Sequence, residues 1–401
     1  MTIAANDEAN LTKSFAGLRV LDFSTTIAGP HCTRMLADMG AEVVKIESVE
    51  GETMRTRPPV RNGCSTAFGQ LNVGKKSLVL DLKSADAIEI IRRLVAGADV
   101  LVENFRPGVM RRLKLDYGSL RELNPELIYC SISGYGQTGP SAELPAYAPV
   151  IHAASGYEIA HLAYQPGRSR PDYCGIYHAD VLTGVYAFGA ISAALYQRHG
   201  TQKGQHIDVS MLESMLSLTL NEVQWSQFPV KQTQRPLFGP VETADGYLML
   251  AVASEKTFQS LIKVIGHPEW ISDPRFAKYS DRRDNWAELM NGVEAWSRTL
   301  TTEKGLTELN DHGVPCSAYR TVAEALNDPQ IAHRGALSEV RDGGGTFKVL
   351  NLPFRMSGAT VSAAKRMSTL GEHTVALLKE AGLSEDEIAA FSGKPVAAEL
   401  R

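Results

Sequence analysis

Several common chemistries are missing from this 401-residue sequence, and each absence removes a class of function. Its five cysteines, Cys32, Cys64, Cys130, Cys174 and Cys316, are odd in number and widely scattered. None has the two-residue spacing of a zinc or redox pair, so reduced thiols and no metal are expected. HExxH and GxSxG do not occur, which removes the zincin and nucleophile-elbow readings. Charge of one sign is also missing, since 41 Lys+Arg against 45 Asp+Glu leave a net −4 and a pI near 6.2. No basic field is present to hold nucleic acid or an anionic membrane. An anionic ligand has to be met by local groups.

What remains is an ordinary globular balance, 44% hydrophobic and 21% charged, in a chain long for a single core, which suggests two domains or one large one with an insertion. The opening MTIAANDEANLTKSF is polar and carries acids, unlike a secretory signal. The uncharged run Val181–Gln197 carries Thr, Ser and glycines, which argue against a membrane span. A cytoplasmic protein with no membrane and no nucleic-acid partner is expected.

Strand and helix patterns alternate over 17–135. Leu18 to Phe23 reads as a strand, Cys32 to Met39 as a helix, and Ala41 to Glu47 as the next strand. Ser77–Asp81, Asp99–Glu103 and Leu127–Ile132 continue the series as strands, with a helix over Ala85–Gly97. This predicts a doubly wound α/β domain with a parallel sheet. Phe228-Pro229 and Arg235-Pro236 mark a linker, so the expected layout has three parts. A large domain spans 15–228, a smaller α+β domain 232–330, and a segment 331–401 returns to the large domain.

Open α/β sheets bind ligands beyond their carboxyl edge, so the loops after the strands matter most. Ser24–Pro30 follows the first strand and leads into a helix, where backbone N–H groups can hold an anion. It lacks the GxGxxG spacing of a dinucleotide site. Glu103-Asn-Phe-Arg-Pro-Gly108 is trailed by Arg111 and Arg112. Ser133–Pro140 is glycine-dense without the Lys-Ser/Thr of a P-loop. Lys75 and Lys76 add charge that a phosphorylated ligand needs, or are simply solvated.

One carboxylate stands out. Asp180 lies where a polar stretch gives way to the apolar run Val181–Tyr196, which its composition marks as a buried helix. It is either a helix N-cap or a functional acid at the first turn. Gly184, one turn on, leaves backbone bare for a close approach. His178 and Asp180 could form an acid–base pair, although a lone histidine is more often structural.

Taken together, these motifs resemble the family III CoA-transferases, the CaiB–BaiF family. The resemblance rests on Ala28-Gly-Pro30, Gly40–Glu47, Val102–Gly108, Gly134–Gly139, Ala179–Gly184, Gly204–Met211 and Thr243–Tyr247. It implies CoA transfer from an acyl-CoA to a small carboxylic acid, with Asp180 as the nucleophile. Aspartyl mixed-anhydride and aspartyl-CoA thioester intermediates would form on that residue. Carried over as CoA contacts are Ile27, Ala28, Asn104, Phe105 and Arg112, with Lys75 and Arg106 for the phosphates. CoA and acyl-CoA are then substrates, no cofactor is tightly bound, and an interlocked homodimer is implied.

Departures from the family pattern narrow the reading. Racemases of this family carry His-Asp where this chain has Tyr147-Ala148, which disfavours racemisation. The family's glycine-rich loop is not evident between Gln227 and Glu242. Candidate arginines for the acid substrate are Arg55, Arg57, Arg168 and Arg170. The alternatives are an acyl-CoA racemase or isomerase using His178 or His152, and a non-catalytic CoA-ester binding protein.

Overall fold

The first strand explains the main sheet. Arg19–Asp22 (β1) alternates its side chains, so Val20 enters one core and Leu21 the other. A strand buried on both faces needs helices on both sides, the condition that favours parallel pairing. Glu42–Glu47 (β2), Lys76–Val79 (β3), Val100–Glu103 (β4), Ile128–Ser133 (β5) and Gln205–Ser210 (β6) complete the sheet. All six pair in parallel in the order β3-β2-β1-β4-β5-β6. The computed structural model describes residues 12–165, 167–229, 239–252 and 254–392. Strand order reverses between β1 and β4, so the loops leaving these two strands diverge and open a crevice.

Ala28–Asp38 (α1) and His178–Thr201 (α3) cover one face of the sheet. Ala85–Val95 (α2) and Thr374–Glu380 (α4) cover the other. The chain divides into two compact units, one running to Gln224 and resuming at His333, the other Trp225–Ala332. In the first unit, the His373 N–H donates to Ser77 O at 3.0 Å, and Val79 N–H to Thr374 Oγ1 at 3.1 Å. These bonds occupy the outer edge of β3, whose backbone groups would otherwise be open to further pairing. The second unit has its own core, including Leu248, Phe258, Leu261, Phe276 and Leu289, around a three-stranded antiparallel sheet.

The structure departs from the sequence reading in four places. Helix α1 begins at Ala28 rather than Cys32, because Pro30 is tolerated in a first turn that lacks intrahelical N–H bonds. Two short helices, Ala148–Ala154 and Tyr157–Leu162, lie where the proline-containing stretch 141–179 gives few regular signals in sequence. Glu213–Trp225 reads from its sequence as one helix, and the structure breaks that stretch into Met211–Leu216 and Leu220–Trp225. Helix α3 is not buried all round. Ala187, Ile191 and Ala194 join the core, whereas Val181, Val185 and Tyr186 are each about half exposed and Tyr196 is 85% exposed. Apolar composition signals that a face is covered, and it does not say by what.

Gly184 also has a different job from the one expected. A Cβ there would lie 2.7 Å from Ala28 O and 3.0 Å from the His31 ring, so the missing side chain lets α3 close on α1. The space is filled by protein rather than left for a ligand. Residues 230–238, which hold most of the linker and the stretch searched for a glycine-rich loop, lie outside the described residues, as does the N-terminal stretch to residue 11.

Candidate active site

The switch-point loop is built on buried charge. Asp22, the last residue of β1, accepts from Ser24 N–H at 3.0 Å, Thr33 Oγ1 at 2.7 Å and Lys75 Nζ at 2.9 Å, and from the Ser24 hydroxyl. Lys45 on β2 donates to Ser24 O at 2.8 Å and pairs with Glu52 at 2.5 Å. Burial pushes the Asp22 pKa up, but Lys75 and Lys45 pull harder and hold it down at about 2. Burial costs Lys75 more than Asp22 returns, and the like charge of Lys45 adds to the loss, so its pKa falls to about 8.

Above this network the loop is tied residue by residue. Thr25 N–H donates to Asn104 Oδ1, and Asn104 Nδ2 donates back to Thr25 O, both at 2.8 Å. Thr26 N–H donates to Glu52 Oε1 at 2.6 Å, and the Thr26 backbone has φ of +69°. A β-branched residue in the left-handed region costs of order 1–3 kcal/mol, so its surroundings must impose it. Ile27 and Ala28 follow, both buried, where the first N–H groups of α1 have no partner within the helix.

Asp180 stands over this loop. It is the third residue of α3, after an N-cap at Tyr177 that makes no side-chain bond, so it is not the cap. Gly184, four residues on and about 6 Å along the axis, touches Ala28. Asp180 therefore projects one turn beyond the α1–α3 contact, toward the crevice. It is half-buried, and among the described residues no side chain pairs with it. Burial alone pushes its pKa up to about 6, the opposite outcome to Asp22.

The turn carrying Asp180 is fixed from behind by His152, on one of the helices that sequence reasoning missed. His152 is 1% exposed, and its Nε2 accepts the Ala179 N–H at 3.1 Å. That bond requires an unprotonated Nε2. Nδ1 then carries the proton and faces Glu158 at 3.6 Å. Burial lowers the His152 pKa against the pull of Glu158. This lone pair is engaged by backbone, so His152 is not a free base for proton abstraction. His178 Nδ1 faces Cys174 Sγ at 3.9 Å. The signal for His152 was present: Ala148, Ile151 and His152 repeat at helical spacing and are all buried.

The expected cations divide into two groups. Lys75 is a correction. Its ammonium is buried and donates to Asp22, Thr33, Asn72 and Pro30 O, so it does not reach a phosphate. Lys76 pairs with Glu42 at 2.5 Å. Strand β3 opens level with Val44 and Leu21, which brings the Lys75 ammonium beneath the Ser24–Pro30 loop as an internal counter-ion. Arg106 and Arg112 are exposed beyond β4, at the carboxyl edge. Phe105 is half-buried against the core on the α2 side, and its N–H donates to Glu103 at 2.9 Å. The Asn104 amide is committed to Thr25.

Arg106 also lines a cleft of about 730 Å³ with Arg111, Gln137, Gly139, Ser131 and His206, so the second and third loops do meet. Asp180 is not among its walls. Of the arginines proposed for the acid substrate, Arg55 is held bidentately by Glu47 at 2.7 and 2.8 Å and lies over Phe68. Arg168 pairs with Asp172, while Arg57 and Arg170 are exposed. Among the described residues no group of three or more His, Cys, Asp or Glu could hold a metal ion.

A doubly wound sheet with an unpaired, half-buried carboxylate on the helix that packs against its switch-point loop defines a class: an α/β protein with a candidate reactive acid beside the carboxyl edge of its sheet. Residues 15–374 match the model of CoA-transferase family III, and the chain belongs to that family. It is 33% identical to the succinate–glutarate CoA-transferase of Agrobacterium fabrum, over 93% of this chain and 97% of the relative. It is 38% identical to the acetyl-CoA:oxalate CoA-transferase of Acetobacter aceti, over 82% and 86%. A solved CAIB/BAIF family protein from Brucella suis superposes with a TM-score of 0.79 at 34% identity, covering 93% of this chain and all of that one.

Proposed function

We propose that this enzyme moves CoA from an acyl-CoA donor to a small dicarboxylic acid, with Asp180 as the nucleophile. The carboxylate attacks the thioester carbonyl, the C–S bond breaks, and CoA leaves as thiolate from a mixed anhydride. The thiolate then attacks the aspartyl carbonyl, which frees the donor acid and leaves an aspartyl-CoA thioester. The acceptor carboxylate attacks that carbonyl and expels the thiolate again. Attack of the thiolate on the acceptor acyl group closes the cycle and restores Asp180. Every step exchanges one leaving group for one nucleophile, so no water or external proton is consumed.

The observation that carries this reading is the unpaired Asp180 carboxylate with its burial-raised pKa. A carboxylate stripped of partners and water is a better nucleophile than a solvated or salt-bridged one. The first-turn N–H groups of α1 at Ala28 and Gly29 are the donors this reading assigns to the oxyanion. Relatives named for succinate, glutarate, oxalate and mesaconate support a di-acid substrate. A panel of acyl-CoA donors and acids, followed by mass spectrometry, tests this. Asp180→Ala should abolish exchange and leave CoA binding nearly intact, and transfer at the wild-type rate would refute the assignment.

The carboxylate is the reactive form, so kcat/KM should rise with pH through about 6 and level off above about 7. A flat profile from pH 5 to 8, measured with a non-titrating donor, would remove Asp180 from the rate law. Arg106 and Arg112 are assigned to the CoA phosphates. The double Arg106→Gln, Arg112→Gln variant should raise KM for CoA esters roughly tenfold or more and leave kcat within about twofold.

The remaining partner is a second copy of the chain. Tyr173, Ile176, Tyr177, Val181, Val185 and Tyr186, all close to Asp180 in sequence, are 44–71% exposed. Six exposed apolar side chains so close in sequence to the site of a reaction that must exclude water favour a covering surface. Light scattering should give twice the chain mass, and a monomer at micromolar concentration would overturn the homodimer.

A further inference from the structure

The buried acids and bases beneath the crevice include one group that the proposed chemistry leaves without a task. Glu52 is 6% exposed and belongs to no regular strand. One of its oxygens takes the Thr26 N–H at 2.6 Å, and the other pairs with Lys45 at 2.5 Å. Lys45 in turn donates to Ser24 O, two residues earlier in the same loop. Glu52 is thereby fixed from below by β2 and grips the single residue of the loop whose backbone is left-handed. Thr26 is neither glycine nor asparagine, so its side chain gives no help in reaching φ of +69°. Two residues later the chain becomes the first turn of α1, in contact with α3 one turn from Asp180.

We infer that Glu52 is a positioning residue, which imposes the left-handed turn at Thr26 and so aims the Ile27 and Ala28 amides at the site served by Asp180. This inference rests on the reading of that site as the place where the acyl-CoA thioester meets Asp180. Without the carboxylate, Thr26 relaxes toward negative φ, and the amides after it rotate away from the crevice. Asn104 holds Thr25 from the other side and cannot replace Glu52, because its amide already bonds the Thr25 N–H and C=O.

A glycine at position 26 reaches positive φ at no steric cost, which separates this role from a merely structural one. Glu52→Ala should lower kcat for CoA transfer at least thirtyfold with KM for the CoA ester within about threefold. Thr26→Gly added to Glu52→Ala should recover at least tenfold of that loss. Loss of activity with no recovery in the double variant would overturn the inference, as would an unchanged kcat in Glu52→Ala. Amide hydrogen exchange over residues 24–30 provides a readout independent of turnover. Exchange should accelerate in Glu52→Ala and slow again in the double variant, and equal exchange in all three proteins would also overturn it. Wild-type protein that transfers no CoA to any acid of the panel would refute the proposed function, while the exchange measurement would still decide the role of Glu52.

Discussion

Asp180→Asn should abolish CoA transfer, by at least about 10³-fold in kcat, and at the same time stabilise the protein at neutral pH. The two effects have one cause. Burial without a partner raises the Asp180 pKa from 3.8 to about 6, so the folded state prefers the neutral acid. Between about pH 4 and 6 the folded protein holds a proton that the unfolded chain has lost, and stability falls as pH rises through that window. Above it the full cost is present. A shift of two units corresponds to nearly 3 kcal/mol, and partial exposure reduces the expected gain to about 1–3 kcal/mol. Urea unfolding of wild type and Asp180→Asn at pH 8 and at pH 4 checks this. The difference should be clear at pH 8 and vanish at pH 4. A variant less stable than wild type at pH 8 would mean that a partner compensates the carboxylate. The trade of stability for a reactive group is what distinguishes a site from a structural acid.

Lys75→Met should be the most destabilising change at the sheet, costing about 3–5 kcal/mol, without a specific loss of CoA affinity in the folded protein. The ammonium is the direct partner of Asp22, and both side chains are 2% exposed or less. Removing it leaves a buried carboxylate with only the more distant Lys45. The Asp22 pKa lies below its unfolded value, so its contribution is present above about pH 4 and is lost as pH falls through about 2. In Lys75→Met that loss should begin at higher pH. The double Asp22→Asn, Lys75→Met variant should regain part of the stability, because no uncompensated charge remains. Denaturation curves over pH 3–8, with titration calorimetry of CoA, distinguish this from a phosphate contact. A phosphate-binding lysine would weaken CoA affinity tenfold or more and leave stability nearly unchanged.

The contrast between Lys75 and Arg106 shows how far sequence reasoning reached. Both were basic residues beside glycine-containing loops, and nothing in their immediate neighbours separates them. Pairing decided the matter. Lys75 turns inward to a carboxylate 53 residues away, whereas Arg106 follows β4 and lines an open cleft. Glu52, and the backbone contact that His152 makes, were missed for a related reason. Each acts on backbone N–H groups remote in sequence, at Ala179 and Thr26, and such bonds leave no periodic trace. The mirrored fates of Asp22 and Asp180 make the same point, since identical side chains reach pKa values near 2 and 6 according to which cations the fold brings within reach.

The sequence by itself determined the strand–helix alternation, the parallel sheet, the loops at its carboxyl edge, the family, and Asp180 as the residue to examine. These follow from local periodicity, turn residues and contiguous motifs, which are written along the chain. Only the tertiary structure decided that Gly184 serves the approach of α1, that Lys75 is an internal counter-ion, and that Thr26 is held in a strained turn by Glu52. The structure also showed that, among the described residues, one face of α3 has Val181, Val185 and Tyr186 about half exposed. Each of these depends on distances between residues far apart in sequence, where burial and the nearest opposite charge, rather than residue type, fix what a side chain can do.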